Sequence, residues 1–128
     1  MITTQNRYSF TVLRDTDFAE RFEFVNDDNT KCDFSGYSAR MEILPSSVSG
    51  SAILTLTSNL MSDGTGIDLT PTTGSSSLPY SSGSLAILIS SASGSALNDY
   101  DRLYYFLDMT RTVSNATFRL MEGRIKVG

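Results

Sequence analysis

The chain has 128 residues and a mass of 14.0 kDa, enough for one domain, residues 1–128, around a single core and too little for a second of ordinary size. Apolar residues make up 40% and charged residues 19%, with 3 Pro and 9 Gly, which excludes disordered and collagen-like compositions. The net charge of -4 gives no electrostatic drive toward a phosphate backbone, so nucleic acid is not an expected ligand.

Period-two alternation starts near the beginning of the chain. In "RYSFTVL" the residues Tyr8, Phe10 and Val12 share one face, and in "FAERFEFV" Phe18, Phe22 and Phe24 oppose Arg21 and Glu23, the signature of half-buried strands. The turn-like "RDTD" joins the two. "NDDNTK", residues 26–31, collects Asn and Asp, which cap turns and tolerate left-handed backbone, and predicts an exposed hairpin loop.

After a bend at Gly36, Ala39, Met41 and Ile43 alternate with Arg40 and Glu42. Pro45 and "SSVSG" end the pairing, because proline cannot donate to a ladder. "SAILTLTS" alternates again, and after the turn "MSDGTG" Ile67 and Leu69 share a face. Residues 71–84 shift to Ser, Thr, Gly and Pro and form the longest expected loop, either a mobile linker or an excursion that grips a neighbouring subunit.

"LAILIS" and "RLYYFLDMT" are apolar on both faces, with Leu103, Tyr105, Leu107 and Met109 on one side and Tyr104 and Phe106 on the other. Strands of this kind belong in the middle of a sheet or between a core and a partner. Between them "SASGSALNDYD" predicts one helical turn capped by Ser91 or Ser93. In "TFRLMEGRIKV" the apolar parity changes between Leu120 and Ile125, and a bulge is expected around Gly123. Short strands separated by turns point to an all-β antiparallel sandwich or barrel.

Catalytic chemistry is hard to assemble from these residues. Histidine is absent, removing the commonest general base and transition-metal ligand. The pairs Asp15/Asp17, Asp27/Asp28 and Asp99/Asp101 read as solvated turn residues rather than as a sugar-flanking or calcium-binding set. No G-x-S-x-G elbow or phosphate-cradling glycine loop occurs, and "NAT" at Asn115 reads as a hairpin turn. No catalytic, cofactor-binding or metal-binding residue is therefore assigned, and no enzyme, cofactor or small-molecule substrate is expected. Cys32 is the sole cysteine, so the expectation is a buried inert thiol in a protein folded under reducing conditions. Neither an export signal nor an apolar run of roughly eighteen residues occurs, so no membrane is expected as a partner. Tyr104, Tyr105 and Phe106 supply amphipathic area suited to an interface or a sugar platform, core packing is the plain reading for at least two of the three, and the lack of Trp weighs against the sugar platform.

Three segments, "DFSGYSARMEIL", "YYFLDMT" and "RLMEGRIKV", taken in this order and spacing, resemble the small immunoglobulin-like modules encoded among the tail and baseplate genes of tailed bacteriophages. The likeness includes the amino-terminal domain of upper baseplate proteins of phages that infect Gram-positive hosts, and covers roughly residues 8–127. The stretch 71–84 is richer in Ser than in that family. Baseplate members continue beyond the position of Gly128 into a receptor-directed region, so the expectation here is the attachment module. The resemblance implies a single immunoglobulin-like β-sandwich with Greek-key type connections, serving as a non-enzymatic structural part of a virion assembled in the host cytoplasm. It would dock in the tail, baseplate or neck, carry fibres, and contact other virion proteins and copies of itself. Head decoration and glycan-binding or adhesin-like sandwiches are the alternatives. The expected interface residues are Met1, Ile2, Thr70, Pro71, Leu78, Pro79, Tyr80, Tyr104 and Phe106.

Overall fold

The computed structural model describes residues 6–45, 51–73 and 75–128. Met1, Ile2 and the connector residues 46–50 lie outside the described residues. In chain order the strands are β1 (Asn6–Arg7), β2 (Phe10–Val12), β3 (Phe18–Glu23), β4 (Tyr37–Leu44), β5 (Leu54–Thr57), β6 (Gly66–Asp68), β7 (Thr72–Thr73), β8 (Ser76–Ser77), β9 (Ser84–Ile89), β10 (Arg102–Arg111) and β11 (Thr117–Val127). One α-helical turn, α1 (Ser91–Gly94), followed directly by a 3-10 turn at Ser95–Leu97, lies between β9 and β10. The protein is all-β.

The larger sheet runs β1–β11–β10–β4–β5, with β2 also on β11, and the smaller runs β3–β9–β6. A two-stranded hairpin of β7 and β8 stands apart. The inward residues of both sheets form one apolar core, among them Met41, Ile43, Leu56, Ile67, Leu85, Ile87, Leu103 and Leu107, all with at most 1% exposure. Each such side chain, fully buried, contributes about 1.5–3 kcal/mol, and this shared layer makes the arrangement sandwich-like.

Strands β9 and β10, which read as apolar on both faces, lie inside their sheets, β9 between β3 and β6 and β10 between β11 and β4. Ala39, Met41 and Ile43 are buried as the alternation predicts, and Gly36 takes the bend at φ 77°. The loop at residues 26–31 closes with an isolated antiparallel bridge between Val25 and Lys31, and Asn29 is left-handed at φ 68°.

Four expectations change in detail. The pairing is not wholly antiparallel: β1 and β2 both run parallel to β11. After β2 the chain crosses to the other sheet through the turn at residues 14–17, so no hairpin dictates its direction. "RYSFTVL" is also not one strand but two. Its break falls at Tyr8 and Ser9, where the Tyr8 amide still donates to the Glu122 carbonyl at 3.0 Å while the Tyr8 carbonyl accepts from the Tyr105 hydroxyl, and Tyr8 is 42% exposed.

The bulge in β11 lies at Leu120, not Gly123. Leu107 pairs with Met121 while Asp108 pairs with Arg119, so Leu120 is the extra residue, and Leu120 and Met121 are buried side by side. Finally, the cap of α1 is Ser90 rather than Ser91 or Ser93, its hydroxyl accepting from the Ser93 amide. Ser90 has the extended backbone that a capping position requires, at φ -70° and ψ 155°.

Candidate functional site

The exposed face of the larger sheet gathers the most distinctive side chains. Strand β10 buries Leu103, Tyr105, Leu107 and Met109 and turns Tyr104 and Phe106 outward, half-buried. The ladders to β4 and β11 then set three rows across the sheet. Leu44, Tyr104 and Arg124 form one, Glu42, Phe106 and Glu122 the next, and Arg40, Asp108 and Arg119 the third.

The bulge decides this composition. Arg119 and Arg124 differ in parity, so a regular strand would present them on opposite faces. The extra residue at Leu120 brings both to the outer face.

Both aromatic rings are overlaid by these cations. The Arg119 guanidinium carbon lies 4.2 Å from the Phe106 ring centroid, and that of Arg124 lies 5.6 Å from the Tyr104 centroid, distances at which a cation is held by the ring quadrupole. Arg119 is further fixed by a forked contact, with Nε donating to Asp108 Oδ1 at 2.8 Å and a terminal nitrogen donating to Oδ2 at 3.4 Å. The hydrogen bond to Asp108 raises the pKa of Arg119 above its ordinary value.

The face is basic on an acidic protein. Arg7, Arg40, Arg102, Arg119, Arg124 and Lys126 stand on it against Glu42, Asp108 and Glu122, a net of three positive charges. The rest of the chain holds four cations and eleven carboxylates, a net of seven negative charges. Four of those carboxylates, Asp15, Asp17, Asp99 and Asp101, are exposed at the end where the β2–β3 turn meets the α1–β10 link. Asn98 Nδ2 donates to Asp15 at 3.0 Å, the Ser91 amide donates to Asp17 at 2.8 Å, and Arg14 pairs with Asp101 at 3.0 Å.

A neighbouring cluster secures this end. The hydroxyls of Ser90 and Ser93 both donate to Asp63 Oδ2 at 2.5 Å, and the Thr65 amide donates to Oδ1 at 3.0 Å. The two serine hydroxyls, followed by Thr65, hold the Asp63 carboxyl far below the usual carboxylate range.

Of the residues singled out from sequence, Tyr104 and Phe106 lie together on the basic face. Thr70, Pro71, Leu78, Pro79 and Tyr80 lie on the excursion between β6 and β9. That excursion folds on itself: the Thr70 amide donates to Asp68 and the Leu78 amide to the Pro71 carbonyl. Pro71 is buried, Thr70 and Leu78 are half-buried, Pro79 is exposed and Tyr80 is 45% exposed. The turn carboxylates take local partners instead of converging, with Asp28 held by the Thr30 amide and hydroxyl and Asp33 by those of Ser35.

A cleft of about 510 Å³ opens between the edges of β1 and β3, over Tyr8, Phe22, Phe24 and Met121. No protein-family model matches the chain, and no curated protein matches it in sequence.

Proposed function

We propose that this protein is a non-enzymatic structural component of a bacteriophage virion, an immunoglobulin-like attachment module that docks in the tail, baseplate or neck assembly. The observation that carries the reading joins sequence to topology. The three segments resembling the phage modules fall on β4, β10 and β11, which are adjacent in the larger sheet. The likeness therefore covers one continuous surface and the core beneath it.

Strand order supports the immunoglobulin-like part. With β2 as A′, the larger sheet reads A′–G–F–C–C′ and the smaller B–E–D, which corresponds to the division between sheets in variable-type immunoglobulin sandwiches. The disulfide that many such domains place between B and F has no counterpart with one cysteine. Aromatic packing occupies the space between the sheets here, with Phe10 5.0 Å from both Phe18 and Tyr105 between ring centroids.

Ring coverage favours assembly over glycan binding. A sugar platform needs an open aromatic face, whereas guanidinium groups overlie Phe106 and Tyr104. The test is quantitative peptide mass spectrometry of gradient-purified phage particles from the lysate in which the chain is made. A fixed, reproducible copy number per particle is expected. Loss of the protein from washed particles would overturn the proposal.

A further inference from the structure

We infer that the basic outer face of the larger sheet docks on the acidic end of a second copy of this chain. This rests on the assembly reading above and names the partner that the face fits. The occupant follows from charge. Among the described residues, Arg7, Arg102, Arg124 and Lys126 form no ion pair, and neither do Asp15, Asp17 and Asp99. One surface thus offers unpaired cations around the half-buried Tyr104 and Phe106, and the other offers unpaired carboxylates on a projecting end.

Arginine suits this contact. Its planar guanidinium stacks on an aromatic ring while its edge still meets a carboxylate in a fork, so Arg124 can keep its place over Tyr104 and accept a partner's aspartate. Stacked guanidiniums also leave little open ring for a nucleic-acid base or a sugar. The acidic end is firmly built, because Arg14 donates to the carbonyls of Asn98 and Tyr100 at 2.9 and 2.8 Å and Asp63 ties α1 to the turn before β6.

The two surfaces are different, so the contact is heterologous. Copies joined in this way close into a ring or continue as an array, as a repeated virion subunit requires. The attraction also steers encounter over roughly a Debye length and fades as salt rises.

Sedimentation velocity of the full chain, from about 0.01 M to about 1 M salt, tests the inference. The wild-type chain is expected to associate at low salt and to dissociate at high salt. The pair Arg124→Glu and Lys126→Glu, and separately the pair Asp17→Lys and Asp99→Lys, should each abolish association, and an equimolar mixture of the two variants should restore it. All four positions are exposed, and far-ultraviolet circular dichroism checks that each variant is folded. A wild-type chain that stays monomeric at low salt overturns the inference without any variant, as does association that the reversals leave unchanged or that the mixture does not restore. Monomers in solution alongside a fixed copy number in particles would defeat this inference and leave the virion reading standing. Salt-sensitive association with no copies in particles would do the reverse.

Discussion

The Tyr105 hydroxyl donates to the Tyr8 carbonyl at 2.5 Å, linking the middle of β10 to the break between β1 and β2 across the intervening strand β11. Gly123 is what permits the approach: a Cβ there would overlap the Tyr8 carbonyl. Burial pushes the Tyr105 phenol well above its ordinary pKa, so it stays a neutral donor across the physiological range.

Two substitutions follow from this bond. Tyr105→Phe leaves the Tyr8 carbonyl without that donor and should destabilise the fold by about 1–2 kcal/mol. Gly123→Ala forces the strands apart and should cost about 1–3 kcal/mol, the range for overpacking. Urea denaturation measures both, and wild-type stability for either variant would contradict the geometry.

Asp63 makes stability depend on acid. Its pKa is depressed in the folded state by the Ser90 and Ser93 hydroxyls, so the contribution is fully present above the ordinary carboxylate value of about 3.9 and is lost as pH falls further. The gap in denaturation midpoint between wild type and Asp63→Ala should be constant from neutral pH down to about 4. Below that it should narrow. A gap that widens in acid would reverse the assigned sign.

The Asp108–Arg119 pair positions more than it stabilises. Its side chains keep 23% and 35% of their exposure, so solvent screens the charge, and a double-mutant cycle should yield a coupling of about 0.2–1 kcal/mol. Arg119→Lys retains charge but loses the fork and the stack on Phe106. In the self-association assay it should weaken binding more than it lowers stability.

Cys32 is wholly buried and burial raises its thiol pKa, so the reactive thiolate is scarce and shielded. A disulfide reagent should modify it only as fast as the protein opens, with the rate rising steeply in urea. Rapid labelling of the native protein would show that the loop at residues 26–31 does not cover it.

Much of the fold was legible because strand alternation is written directly in residue type. Ala39, Met41 and Ile43, the four inward residues of β10, and the two-faced character of β9 all follow from it. Parallel pairing of β1 and β2 was not legible, since alternation is blind to strand direction. The bulge was visible as a parity change, but between Leu120 and Ile125 only the ladder to β10 could fix its position. That hid the site: alternation sets Tyr104 and Phe106 on the face opposite Tyr105 without telling which face is outward, and the cations over them depend on which side of the bulge Arg119 falls. Net charge concealed it too, because a whole-chain value of -4 averages a basic face with an acidic end.

Single-particle imaging of the native phage particle tests the account most directly. It should reveal repeated copies of the two-sheet body at the tail, baseplate or neck, with the strands β11, β10 and β4 turned toward the acidic end of the adjacent copy. A particle whose density is fully explained by other chains would contradict the account.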